Sequence, residues 1–342
     1  MSAALRVLAA GPGVTIQDAG RHGYARFGVT PAGPMDSSAF VAALLAADDP
    51  RGAAIEVSLG GLELTAEDAA IGIAVTGSFD VRLDGRALSS CCALTLSPGA
   101  SLSLRPGASG AWVYVAPFAR FDLPPTLGSL ATLARAKLGG FHGRMLQAGD
   151  LLGLCDARPG PSEPLAIDAP WLGAAPERIR VLLGPQQDFF SPEAIETFLS
   201  ARWRLSARSD RMAYRLEGPT LRHLAGHDII SDGLAFGAIQ VPGDGAPLVL
   251  MADRQPTGGY PKIAHVVGAD LPALAQKRPG DSVQFASVSW EAAVAARRER
   301  VLHVAQGIKL APLKNKELSS EFLLARNLIG GVVHAGEYLK PT

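Results

Sequence analysis

Short apolar-rich runs, each closed by glycine or proline, recur along nearly the whole chain. Glycine (38) and proline (25) together make about 18% of the 342 residues, against a usual background of about 12%. Helix interiors tolerate both poorly, so this punctuation favours a strand-and-turn protein over a helical bundle. Ile55–Leu59 meets Gly60-Gly61 and continues as Leu62–Leu64, which reads as a hairpin. Ile71–Val75, Phe79–Leu83 with an Asp84-Gly85 turn, and Leu94–Leu96 follow as further strands. A glycine turn feeding a strand appears at Pro98-Gly99, Ala148-Gly149-Asp150 and Pro279-Gly280-Asp281. Two lie in the first half and one in the second. They fit either two related β-barrels in tandem or the ordinary turns of any β protein.

The length suits one large fold or two medium ones, and 48% hydrophobic residues supply a core. Basic and acidic residues balance at 32 each, so no global field draws the chain to nucleic acid or an anionic membrane. Three cysteines, two of them adjacent at Cys91-Cys92, cannot staple a secreted fold, and a reducing cytoplasm is the expected setting. No apolar run approaches the roughly 18 residues of a membrane span, and the N-terminus lacks the pattern of a signal peptide.

Few helices are expected. Asp36 is placed to cap Ser37–Ala47, Ser191-Pro192-Glu193 opens a second helix to about Leu199, and Ser289 opens a third, Trp290 to about Val304. Asp156–Pro164 is the most linker-like stretch, which divides the chain into domains at 1–158 and 165–305. A C-terminal extension, 306–342, holds four of the seven lysines, with a short helix expected over Glu317–Ile329.

No Gly-Lys dipeptide occurs, so there is no Walker A phosphate loop, and His-Glu-x-x-His, paired Cys-x-x-Cys and the Gly-x-Ser-x-Gly elbow are absent. His223 and His227 have i,i+4 spacing, but Gly226 between them weakens a helical reading; two polar loop histidines are favoured over a metal site, and no metal is assigned. Chemistry concentrates in two stretches. In the first, Gln17, Asp18, Arg21 and Asp36 sit among turn glycines. Asp18 and Arg21, three apart, can form an ion-paired corner that is either structural or part of a pocket. In the second, the apolar strand Leu248–Ala252 delivers Asp253 and Gln255, then Thr257, Gly258, Gly259, Tyr260 and Lys262, with Gln240 shortly before. Lysine titrates readily when desolvated, so Lys262 beside Ile263–Val267 can serve as a base or proton donor. This strand-loop-strand unit is the leading site.

A longer series of residues resembles a known family. It runs through Thr15–Arg21 with Gly23-Tyr24, Gly33-Pro34-Met35-Asp36, Glu56 with Gly60, Thr76-Gly77, and Leu127-Gly128-Ser129 with Thr132. It continues with Gly184-Pro185-Gln186, Ser209-Asp210-Arg211-Met212 with Tyr214-Arg215-Leu216, Ile239–Pro242, Ala252-Asp253 through Lys262, and Gln276 with Pro279-Gly280-Asp281. These ordered matches are similar to the biotin-dependent carboxyltransferase type, or allophanate hydrolase subunit 2 family. It includes KipA-like proteins, the C subunit of bacterial 5-oxoprolinase and the carboxyltransferase part of urea carboxylase. The sequence departs from the family pattern at Ala43-Leu44, Asp48-Asp49 and Ala116-Pro117-Phe118, around the first helix cap and first pocket, and the tail after 306 lies outside the resemblance.

The resemblance implies a mainly β fold of two tandem cyclophilin-like β-barrels acting with a subunit-1 partner (KipI-like, the B subunit of 5-oxoprolinase). In the 5-oxoprolinase branch, those two proteins and a further A subunit use ATP to open 5-oxoproline to glutamate. In the urea carboxylase branch, a carboxyl group passes from carboxybiotin to an amide nitrogen, so biotin belongs to that branch alone. A third reading is a KipA-like regulatory protein that binds its KipI-like partner without catalysis. The first is preferred because the chain stands without fused biotin-carboxylase or biotin-carrier segments. In it, Lys262, Asp253 and Arg21 are the expected catalytic residues, with Lys262 moving a proton or binding an oxyanion and Asp253 orienting it. Gln240 and Gln255 recognise a planar amide, helped by Thr257, Gly258, Gly259, Tyr260, Gln17, Asp18 and Asp36.

Overall fold

A computed structural model describes residues 3–173, 175–224 and 226–313. The chain's first half is built around one bent antiparallel pair. Ala4–Ala10 pairs with Leu62–Glu67, and the same two segments continue as Thr15–Gln17 against Ala54–Val57 in a second sheet. Both segments cross from sheet to sheet where Gly11 meets Gly60. A Cβ added at Gly60 would stand 2.6 Å from the Gly11 Cα, so only glycine lets these backbones cross. The expected hairpin at Gly60-Gly61 is therefore a sheet corner. Ala54–Val57 and Leu62–Glu67 do not pair with each other but bond to different neighbours. The Asp84-Gly85 hairpin is present, with both residues left-handed at φ 48° and 80°, as such a two-residue turn requires.

Leu62–Glu67 alternates strictly between buried and half-buried residues, and its inward side chains meet Leu5, Ile16, Ile73, Leu94 and Val115 in one apolar core. Each such side chain contributes roughly 1.5–3 kcal/mol by leaving water. The second half forms an eight-stranded sheet in which Ala238–Gln240 lies between Leu248–Leu250 and Lys262–Val266. The mainly β, two-barrel expectation is met, with four α-helices among the described residues.

Helix α1 (Ser37–Ala46) is capped as expected: Asp36 Oδ1 accepts from the Ser38 and Ala39 amides at 2.8 and 3.1 Å. Its residues are buried nearly all round because it lies in the seam between the halves. Helix α2 (Pro192–Ser200) starts on Ser191. Helix α3 (Leu271–Ala275), unforeseen from the sequence, packs against α1 from the second half. Helix α4 (Trp290–Ala305) starts on Ser289. Leu165–Asp168, just past the expected boundary, bonds to Cys92–Leu96 in the first half's sheet and carries Lys309–Pro312 on its outer edge. The helix expected over 317–329 lies outside the described residues.

Gly60→Ala is expected to lower unfolding stability by about 2–4 kcal/mol in chemical denaturation. Gly99→Ala, whose added Cβ meets nothing, should cost only left-handed strain of about 1–2 kcal/mol.

Candidate active site

The Lys262 loop is assembled by strand register. Gln240 and Lys262 face each other across adjacent strands, where a bulge follows Ile239. Gln240 Nε2 donates to the Tyr260 carbonyl at 3.2 Å, which ties the loop to its own strand. A Cβ at Gly258 would stand 3.0 Å from Gln240 Nε2 and 3.2 Å from Gln255 Nε2. The absent side chain at Gly258 thus gives both amide groups room beside bare backbone. Thr257 and Tyr260 are exposed, and Gly259 accepts through its carbonyl from the Ile229 amide at 2.7 Å.

Lys262 is buried, and its Nζ donates to Asp232 Oδ2 at 2.6 Å; its own amide reaches Gln186 Oε1 at 3.3 Å. The hydrogen bond from Lys262 holds Asp232 below the usual carboxylate range. Asp232 reaches this place because Asp232–Gly233 pairs with Thr257–Gly258. The expectation that Asp253 orients Lys262 is corrected here. No hydrogen bond or ion pair joins them, and the carboxylate beside Lys262 is Asp232. Asp232 lies in a polar loop with no pattern that could single it out.

Asp253 instead faces the seam between the halves. Arg211 grips it with two parallel bonds, Nε to Oδ2 at 2.9 Å and Nη2 to Oδ1 at 2.7 Å. The same guanidinium donates to the Gly33 carbonyl at 2.8 Å and pairs through Nη1 with Glu56. Glu56 is fully buried and also accepts from the Tyr114 hydroxyl at 2.6 Å and the Met35 amide at 2.8 Å. Burial raises its carboxyl above the ordinary range, against the pull of Arg211 and Tyr114. Burial also works against the charge on Arg211, but Glu56 and Asp253 outweigh it and raise its pKa. Arg211 and Glu56 both lie in the segments that carry the family resemblance, yet neither was singled out as a site residue.

Between the halves opens a cleft of about 380 Å³, walled by Trp112, Tyr214, Met145, Met212, Arg211 and Asp253. Of the residues expected to meet substrate, Asp253 alone lines it. The others of the first stretch serve local architecture. Gln17 bonds Thr15, the Thr132 carbonyl and the Gly33 amide. Asp18 accepts from Gly20, Ser129 and Leu130, and Arg21, almost fully buried, donates to the carbonyls of Thr126, Ser129 and Ala131. The expected Asp18–Arg21 ion pair is replaced by this joint grip on the 126–131 loop. Burial lowers the Arg21 pKa, and its Nη1 has no partner among the described residues. Asp36 caps α1 and accepts from Gln276 Nε2 at 2.8 Å. His223 lies against Phe190 with its Nε2 3.0 Å from the Val241 carbonyl, and among the described residues no three His, Cys, Asp or Glu side chains gather as a metal site.

The family model described as carboxyltransferase domain, subdomain A and B, matches residues 27–287. The chain belongs to this family. It is 36% identical over 299 residues to the C subunit of Escherichia coli 5-oxoprolinase, covering 86% of this chain and 95% of that one. It is likewise 36% identical over 307 residues to the C subunit of Haemophilus influenzae 5-oxoprolinase, covering 88% and 96%. Among solved structures it resembles Kluyveromyces lactis urea carboxylase, 30% identical with a TM-score of 0.79 over 88% of this chain and 28% of that one. Urea amidolyase of the same yeast matches with a TM-score of 0.80 at 30% identity, over 88% of this chain and only 19% of its own length. The tandem cyclophilin-like barrels implied by the resemblance are thus the fold observed.

Arg211→Met would leave Glu56 and Asp253 buried without a counter-charge, and is expected to cost about 3–5 kcal/mol. Urea denaturation measures this, with Arg204→Met, which breaks the exposed pair with Glu217, as the control that shows no comparable loss.

Proposed function

We propose that this chain is the C subunit of an ATP-dependent 5-oxoprolinase complex, which opens 5-oxoproline to glutamate together with its A and B subunits in the cytoplasm. The observation that carries this reading is the full-length likeness to the two bacterial proteins, which spans 95% and 96% of their lengths. The Lys262 loop supplies chemistry suited to it. Opening a lactam by hydrolysis forms a C–O bond from water to the carbonyl carbon, which puts negative charge on the carbonyl oxygen, and then breaks the ring C–N bond, leaving a nitrogen that must gain a proton. Gln240 and Gln255 each offer a donor and an acceptor, the complement of a cyclic amide's C=O and N–H. The Lys262 ammonium, held by Asp232, stabilises the oxyanion and supplies the proton. Lys262 is itself buried, and a lower local dielectric strengthens its pull on a developing negative charge.

ATP belongs to the complex as a whole in this reading, since the chain carries no Walker A loop. Three free cysteines suit a reducing compartment, and among the described residues no helix is long and apolar enough to cross a membrane. The likeness to urea carboxylase supports a second reading, carboxyl transfer from carboxybiotin to an amide. Avidin separates the two, for it blocks only the biotin route.

In the complex reconstituted with its neighbouring subunits, Lys262→Ala is expected to cut ATP-coupled 5-oxoproline turnover by at least about 10²-fold with the melting temperature unchanged. Turnover at the wild-type rate would contradict the assignment. Asp232→Asn, which keeps the shape but weakens the hold on Nζ, should fall between the two.

A further inference from the structure

A second cavity, of about 450 Å³, lies in the seam around the start of α1. Much of its wall is small: Ser78, Ser90 and Ser109 come from the first half, and Ala269 and Ala273 from the second. Two cationic side chains line it, Arg300 from α4 and Lys277 just beyond α3, together with the carboxylates Asp36 and Asp281. Neither has a carboxylate within ion-pair distance among the described residues.

The nearest carboxylate is engaged elsewhere. Asp36 spends Oδ1 on the amides of Ser38 and Ala39 and Oδ2 on Gln276. Arg300, half-buried, bonds through Nη2 to the Ser38 hydroxyl only, so its remaining N–H groups have no protein partner among the described residues. The wall itself is held firmly. Trp171 Nε1 donates to the Ser38 carbonyl at 3.4 Å, and Gln276 accepts from the amides of Ala111 and Trp112 at 2.8 and 3.1 Å. Asp281 accepts from the Arg278 amide at 2.9 Å, so both lining carboxylates are already hydrogen-bonded while the two cations keep donors to spare, and these donors with the serine hydroxyls suit a small oxyanion.

We propose that this cavity binds a small oxyanion, carboxylate or phosphate, through Arg300 and Lys277, at a site separate from the Lys262 loop. Lys277 lines this cavity and the Arg211 cleft alike, and the walls come from both halves, so an occupant bridges the halves beside that cleft. The site does not depend on the amide-opening assignment, and its test needs no turnover.

Isothermal titration of the full chain with inorganic phosphate, and separately with glutarate, tests it and tells the two sources apart. Saturable binding of either anion is expected, weakened at least tenfold in Arg300→Gln and abolished in Ser90→Phe, which fills the cavity from a partly exposed loop. Both variants are first matched to wild type by circular dichroism and melting temperature, and Lys277→Gln replaces Arg300→Gln should the latter not fold. Arg135→Gln, on the other cleft, should bind as wild type. No saturable binding of either anion to wild type, or wild-type affinity in a folded cavity variant, overturns the proposal.

Discussion

Two β-barrels can share one chain without sharing a fixed orientation, and here a single buried guanidinium ties charged groups of both halves together. Arg211 reaches from the second half to Glu56 and Gly33 of the first while gripping Asp253 in its own half. Charges this deeply buried must be matched, because any rotation of one half against the other would strand at least one of them. Around the triad, Trp112 Nε1 donates to the Tyr214 hydroxyl, which in turn donates to the Ala275 carbonyl. Arg278 spans the same seam to three carbonyls of the 107–110 loop. The seam is thus polar where it sets geometry and apolar where α1 fills the remaining volume.

This arrangement separates two kinds of buried charge. Arg211 is saturated by its carboxylates and acts as an anchor, whereas Lys262 has one carboxylate, half-exposed Asp232, and neighbours that are neutral amides. An ammonium so placed keeps hydrogen-bonding capacity for a ligand. Asp253 accordingly pairs with Arg211 in the seam and not with Lys262.

Much of the fold was legible in local pattern. The caps Asp36, Ser191 and Ser289 marked three helix starts correctly because each supplies a side-chain oxygen to an otherwise unpaired amide. Strand positions followed from alternation and from glycine turns. What pattern could not show was pairing: Gly60-Gly61 looks the same in a hairpin and at a sheet corner, and only Gly11, some fifty residues earlier, decides between them. The site was legible in part for the same reason. Gln240, Gln255, Gly258 and Lys262 are close in sequence, and the same cluster is present in space. Asp232 arrives through a two-residue ladder, and Asp253 is turned away by an arginine some forty residues distant, and neither event leaves a local trace. Arg21 reads, in sequence, like an arginine poised for a substrate, and only the structure shows that it serves three carbonyls.

The account depends on where a cyclic amide sits on this molecule. The structure of the reconstituted complex with 5-oxoproline bound would decide it. The account predicts the lactam carbonyl oxygen within about 3 Å of Lys262 Nζ, with its amide edge on Gln240 or Gln255. A lactam seated instead in the cleft beside Arg211 and Trp112, with the Lys262–Asp232 pair undisturbed, would contradict it.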